Sequence, residues 1–466
     1  MAALTGCTFL NGLDDLENET PLIGYRVSDG LRNTGNVLAT YTTESAISGR
    51  SSRLIITSGS GSPHFVYSFW SGQSLDPRRI FDGCEDLDCG QATGASAAGL
   101  ASVNTTIDGG IPFAYDDCAL IGAAPLPGAA VDEGVLRVQC EGEPSSTIRV
   151  GGPRDIGFGT DVAAIPADMA GTAVALVGGP GAAQIQALRQ SLGLVELPIP
   201  EDAQTGTTSR LGTRLVVAAE SQSVVGITGS AAIVLASAPG VTGGRVVVFA
   251  FGDLDGDAGD GLLTLGCIDG VRVRAPAAPF SDGGSMAIGD VGGEGVLDVV
   301  VGDPDAGVVR RWPLTEFVGA AGCGLSDATD DPPASGSVSC PTPASGVQCE
   351  GFGGSVAVGD FNADGAGDLL VGAPTSVVDG LRNAGAAFVL DRGETASTAT
   401  LLTSETEIDG LFGEEVAVVE SQLAGSVRDE AVVGAPGMDS VFAFVCTGIG
   451  GDAVGEGIPR CLPEGS

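Results

Sequence analysis

The sequence has no lysine: all 21 of its basic residues are arginine, set against 59 Asp and Glu. It has a single histidine, His64, and only two Trp and four Tyr in 466 residues. Each scarcity removes a class of chemistry. Without lysine, no Schiff base can form and the phosphate-binding lysine of a P-loop is missing. With one histidine, a His-containing zinc cage, a two-His iron site or a serine triad would each hang on His64. That residue sits in SGSGSPHFVYSF, beside a turn and a strand, and reads as a hydrogen-bonded turn residue. So few aromatic rings leave little on which sugars could stack. Long apolar runs are also lacking. The best candidate span, residues 170–188, contains Gly178-Gly179-Pro180-Gly181 and two Gln, which suit a turn between strands rather than a helix in lipid. Helical periodicity is almost absent, with residues 182–192 the one candidate short helix.

Acid is abundant. A formal charge of −38 repels nucleic acid and anionic lipid and attracts cations. The chain is nevertheless no disordered acidic tail, because 43% of it is hydrophobic and it carries 75 Gly, enough for a buried core with many tight turns.

Eleven cysteines make an odd number. Leu4-Thr5-Gly6-Cys7 is similar to the lipobox at which bacterial lipoprotein precursors are cut and the Cys lipidated. Only six residues precede Cys7, too few for a full leader, so residues 1–7 read as a signal-peptide remnant and residues 8–34 as a linker. Setting Cys7 aside leaves ten cysteines, enough for five disulfides, and predicts an oxidising, extracytoplasmic location such as a bacterial outer membrane or cell surface. Proximity suggests Cys84 with Cys89, Cys340 with Cys349, and Cys446 with Cys461. Cys118 and Cys140 fall where an antiparallel hairpin would bring them together, which leaves Cys267 with Cys323.

Aligning on a short apolar run that ends in a small-residue turn gives seven copies: LIITSGSG, ALIGAAP, ALVGGPG, IVLASAPG, VVVGDPD, LLVGAPT and AVVGAPG. Their starts, from Leu54 to Ala431, lie 56 to 70 residues apart. A second apolar run follows each, such as GRVVVFAF or AAFVL, and a third precedes most, such as GSVAVGD. These are short β-branched stretches bounded by Gly, Pro and Asp, so they predict strands joined by tight turns. Seven such units, each with room for a fourth strand, predict an all-β, seven-bladed β-propeller over residues 35–446, followed by a tail at 447–466. A parallel β-helix is the structural alternative, but its rungs are about half as long. Residues 326–347, rich in Pro, Ser and Asp, read as a long surface loop within the array.

Phe352-Gly353 followed by VAVGDFNADGAGDLLVGAP resembles the FG-GAP repeat of integrin α-subunit propellers and of many bacterial surface proteins. Phe158-Gly159 with VGGP, Leu211-Gly212 with SAPG, and Phe412-Gly413 with VGAP are partial echoes. The acidic loop inside the strongest copy has the chemistry of a calcium site. Calcium takes six to eight hard oxygens, and Asp360, Asn362 and Asp364 alternate so that their oxygens can converge before Gly365 turns the chain. The resemblance implies that the Ala366 carbonyl and the Asp368 carboxylate close the shell. Strand flanks, and Val371 where an EF-hand has its Glu, exclude an EF-hand. The fifth unit repeats the frame with Asp290, Glu294 and Asp298. Gly292 replaces its third ligand, so it is a possible second metal site only if water fills that gap. GDLDGDAGDG, at 252–261, reads as an acidic hairpin turn.

Together these features predict a non-catalytic, calcium-binding adhesion or interaction scaffold. Its expected partner is a surface protein or glycan, and its contact with a membrane is through a lipid on Cys7 alone. Adhesion is what the resemblance implies. The competing expectation is an extracellular polysaccharide hydrolase or lyase using acidic residues near the propeller axis.

Overall fold

The computed structural model describes residues 25–27, the strands between 37 and 151, most of 157–447, and 460–461. Strands dominate, and the described helical pieces are short 3₁₀ turns such as Leu314–Glu316 and Asp391–Gly393. Among the described residues no helix is long and apolar enough to cross a membrane.

Among the described residues, seven antiparallel sheets of four or five strands follow one another along the chain, beside a two-stranded pairing of Val347–Gln348 with Val377–Val378. Each begins at an inner strand and steps outward to its hydrogen-bonded neighbours. The fifth runs Met286–Gly289, Asp298–Asp303, Val308–Pro313 and Gly336–Ser339. The sixth runs Ser355–Gly359, Asp368–Ala373, Ala386–Leu390 and Ala399–Leu402. Inner strands of successive sheets touch, and the inner strand of the seventh, Val416–Ser421, touches that of the first, Val37–Ser45. The sheets therefore close into a ring as the blades of a propeller.

The ring is fastened by its N-terminus. Tyr25–Val27 pairs with Ser440–Thr447 and becomes the outermost strand of the seventh sheet, whose other three strands are C-terminal. This strand lies inside the stretch expected to be a linker. The C-terminal tail contributes as well, with Arg460–Cys461 pairing on Ser440–Thr447 so that Cys461 faces Cys446.

The core is a series of layers between adjacent blades. Ala232, Val234 and Ala236 point toward the third blade, while Ile233 and Leu235 of the same strand point toward the fifth. A strand buried on both faces has no polar side to show, which is why the second strands of the third to seventh units read as apolar runs. Phe158, Phe352 and Phe412, each buried, fill the layers between the second and third, fifth and sixth, and sixth and seventh blades.

The glycines next to these phenylalanines explain the repeat. Gly353 has φ +92°, and its N–H donates to the Gly372 carbonyl of its own blade at 3.0 Å. Its carbonyl oxygen lies where a Cβ on Gly302 of the preceding blade would be. Gly413 does the same toward Gly434 and Gly372, and Gly212 stands likewise against Gly178. Each such glycine ties a blade to its neighbour by backbone contact that no side chain could tolerate.

Several expectations are revised. The described part of 182–192, residues 182–189, forms no helix. Gln184–Arg189 is the third strand of its sheet, with Ile185 and Ala187 buried in the layer toward the fourth blade. Residues 326–347 are not one loop, since Gly336–Ser339 within them is the outer strand of the fifth blade. The turn at 180–183 and the hairpin pairing Asp253 with Asp260 are as expected. Cys267–Cys323 and Cys340–Cys349 are disulfides, with Cα separations of 5.1 and 6.4 Å. Cys118 is disulfide-bonded and stands opposite Cys140 in the strand register. Disulfides fit an oxidising, extracytoplasmic compartment. Cys7, His64, Cys84 and Cys89 lie outside the described residues.

Candidate functional site

The sixth-blade loop connects Ser355–Gly359 to Asp368–Ala373, at the rim where inner and second strands meet. Asp360 organises it. Its Oδ1 accepts the Asp364 N–H at 3.1 Å and its Oδ2 the Gly365 N–H at 2.9 Å. Asn362 Oδ1 accepts the same Asp364 N–H at 2.9 Å, and Asp364 Oδ1 accepts the Ala366 N–H at 2.9 Å. Ala363 at φ +60° and Gly365 at φ +83° supply the left-handed steps that curl the backbone around these oxygens.

Asp368 closes the loop from below. It is fully buried, accepts N–H bonds from Phe361 at 3.2 Å and Arg392 at 2.8 Å, and has Asp364 and Asp391 nearby. Burial, with the added repulsion of those two carboxylates, pushes its pKa up to about 7. Partial burial would also raise Asp364, but hydrogen bonds from Arg392 and Ala366 outweigh it and hold its carboxyl below the ordinary value. Arg392 makes that contact through Nε at 3.2 Å and Nη2 at 2.8 Å, both to Oδ2 of Asp364.

The fifth blade repeats the frame. Asp290 accepts the Glu294 N–H at 3.0 Å and the Gly295 N–H at 2.8 Å, and Asp298 accepts the Val291 N–H at 3.2 Å. Burial raises the Asp298 pKa to about 6, with Arg311 opposing the shift. Arg311 also donates to the Val291 carbonyl at 2.9 Å. The two loops touch, since the Gly367 N–H donates to the Asp290 carbonyl at 2.8 Å. A third contact follows in the seventh blade, where Asp429 Oδ2 accepts the Asp360 N–H at 2.7 Å and the Asp429 N–H donates to the Asp360 carbonyl at 2.9 Å.

The five residues predicted to bind metal in the sixth blade thus share one loop, and Asp290, Glu294 and Asp298 share its counterpart. Among the described residues no three or more His, Cys, Asp and Glu side chains stand gathered as a metal cage. The sixth-blade set includes an amide and a carbonyl as well, and Asp364 Oδ2 is turned toward Arg392. As a donor set the loop fits calcium: every candidate atom is a hard oxygen, and buried Asp368 faces other carboxylates that a cation would offset.

The loop sequences themselves do not reveal Arg392, from the turn after Ala386–Leu390, or Arg311 and Asp429, from other strands, nor a second charged cluster at the axis. There, Arg274 is fully buried and pairs with Glu414 at 2.9 Å and Glu415 at 3.3 Å, while Arg214 pairs with Glu415 at 2.6 Å. Asp161 accepts the Val162 N–H at 2.8 Å and the Leu215 N–H at 2.6 Å. Nothing in the local sequence marks these residues, because Asp161, Arg214, Glu414 and Glu415 lie just before inner strands, Arg274 lies in the link between the fourth and fifth blades, and they meet only when the ring closes.

Residues 352–390 match the FG-GAP repeat family model. No curated protein matches the chain. Among solved structures, virginiamycin B lyase from Staphylococcus aureus is 9% identical, with 91% of this chain and 99% of that one covered, at a TM-score of 0.44. The GH74 xyloglucanase from Xanthomonas campestris is 14% identical, with 95% and 55% covered, at 0.46. The fucose-recognising lectin of Aleuria aurantia, described as a six-bladed propeller, is 11% identical, with 92% and 97% covered, at 0.36. Likenesses at these scores decide neither fold nor function. The fold rests on the closed series of sheets and on Phe352-Gly353 and Gly372 acting as blade-to-blade contacts: the chain is a β-propeller whose sixth blade matches the FG-GAP repeat.

Proposed function

We propose that the protein is a non-catalytic binding scaffold outside the cytoplasm whose sixth-blade loop binds calcium. The observation that carries this reading is the loop itself. Asp360, Asn362, Asp364 and Asp368 belong to one turn, the Ala366 carbonyl lies in the same turn, and Asp368 is a buried carboxylate. Calcium there would be held by those five residues and would supply positive charge that offsets the burial of Asp368. The fifth-blade loop is a weaker candidate, since Gly292 offers no side-chain oxygen. The proposed partner is a surface protein or glycan docking on loops held rigid by the blades.

The axial cluster bears on the enzymatic alternative. Asp161, Glu414 and Glu415 are at most 4% exposed, and the two glutamates are paired with arginines. Carboxylates so enclosed are poorly placed to reach a glycosidic bond, which favours the scaffold.

The test is thermal unfolding of chelator-treated protein before and after adding about 1 mM calcium, a concentration typical of extracellular modules. Wild type should gain several degrees, and Asp360→Asn and Asp368→Asn should gain little. An unchanged wild-type midpoint would remove the calcium reading. Capture of an envelope protein or glycan that survives chelator treatment would separate partner binding from the metal.

A further inference from the structure

We propose that Arg392 is a tethered competitor for the calcium site, an internal cation that occupies the loop until calcium displaces it. The proposal rests on the calcium reading and concerns how that site is regulated.

The geometry is specific. Arg392 sits in the turn after Ala386–Leu390 and holds φ +49°, a left-handed conformation uncommon for a residue with a side chain. In that conformation its backbone N–H fixes Asp368 Oδ1 at 2.8 Å while its guanidinium takes Asp364 Oδ2 through two nitrogens. Asp364 Oδ1 accepts the Ala366 N–H of the loop backbone, whereas Oδ2 is met by side-chain donors that a metal could displace. The guanidinium is bound to that atom. Asn362 Nδ2 also points at it, from 3.3 Å.

Blade five shows a related arrangement reached from a different position. Arg311 lies within its third strand, donates to the Val291 carbonyl and stands 3.9 Å from Asp298. That loop lacks a third-position ligand, and arginine is the cation it has. The sixth-blade loop has both the ligands and an arginine, so the two cations compete. A guanidinium and a calcium ion cannot share one carboxylate oxygen without strong repulsion. The contact is also easily released, because the Arg392 side chain is 49% exposed and can swing into water.

Two consequences follow. Without calcium, the arginine keeps the acidic loop partly neutralised and in shape. With calcium, expelling the arginine weakens apparent affinity, so the site fills only where calcium is abundant. The guanidinium of Arg392, half exposed when paired with Asp364, is then released from the loop only in the loaded state.

The experiment is calorimetric titration of chelator-treated, dialysed protein with calcium chloride. It compares wild type, Arg392→Ala and Arg392→Lys, with circular dichroism to check each fold. Arg392→Ala should bind calcium about fivefold more tightly or better, as expected from losing an exposed competing ion pair. Its metal-free midpoint should fall slightly. Arg392→Lys keeps a mobile charge without the fork and should stay within about twofold of wild type. If wild type binds calcium and Arg392→Ala binds equally or more weakly, Arg392 is no competitor and the proposal fails while the calcium reading stands. If no folded variant binds calcium, both fail together.

Discussion

A methyl group added to Gly372 would run into the carbonyl oxygen of Gly413 in the next blade and into Oγ of Ser355. Neither can retreat easily, since that Ser355 hydroxyl donates to the Gly413 carbonyl at 2.8 Å and Gly413 is held by its own N–H bond to Gly434. Gly372→Ala should therefore destabilise the protein by about 1–3 kcal/mol, the usual cost of overpacking. An alanine at Gly380, where φ is +82° but a Cβ would meet nothing, should cost only its backbone strain. Chemical denaturation of the two variants separates steric contact from conformation, and equal losses would contradict the blade-contact account. These glycines also show what was legible at this scale. Repetition of Gly-Ala-Pro marks positions that must stay small, but not that the obstacle is a carbonyl from another blade.

Strands and turns were readable in proportion to how far their pattern is local. The second strands of the third to seventh blades are buried on both faces and announce themselves as apolar runs, and the acidic loop announces itself by alternating oxygens before a glycine. Gln184–Arg189 was open to misreading because its short polar and apolar mixture fits either period, and only the layer against the fourth blade selects a strand. Tyr25–Val27 could not be seen at all. Three residues carry no periodicity, and their partner is more than four hundred residues away. The pairing of inner strands is equally hidden. Asp161, just before Val162–Ala164, binds the N–H of Leu215 in the next blade, and burial against the opposing pull of Arg214 lifts its pKa from 3.8 to about 7. A raised carboxyl pKa means that the folded state prefers the neutral acid. Its contribution is thus most favourable below pH 4 and declines as pH rises toward 7, by at most about 1.4 kcal/mol per pH unit. The Glu415 charge adds to the shift. Denaturation of wild type and Asp161→Asn across this window should give a stability difference that changes with pH in that sense, whereas parallel profiles would show Asp161 ionised normally.

At the scale of the whole ring, the axial cluster joins parts of the chain that blade-to-blade packing does not. Arg274 comes from the link between the fourth and fifth blades, and Glu414 and Glu415 enter just before the inner strand of the seventh. Arg214 enters the fourth blade and reaches the same Glu415. Fourth and seventh blades are not neighbours, so these bonds cross the axis. Arg274 also donates to the Gly354 carbonyl at 3.4 Å and to the backbone carbonyl of Glu414, which brings the sixth blade into the network. Buried ion pairs lose much of their attraction to desolvation, yet removing one partner strands the other. Arg274→Met should accordingly cost about 3–5 kcal/mol, far more than an exposed pair. Adding Glu414→Gln should restore part of the loss, because Glu415 keeps Arg214 and the neutral amide no longer needs a counter-ion. If the loss came only from filling the arginine's space badly, the second change would restore nothing. Denaturant unfolding of the single and double variants distinguishes the two, and a single-variant cost below about 1 kcal/mol would mean that the charges crossing the axis do not hold the ring together.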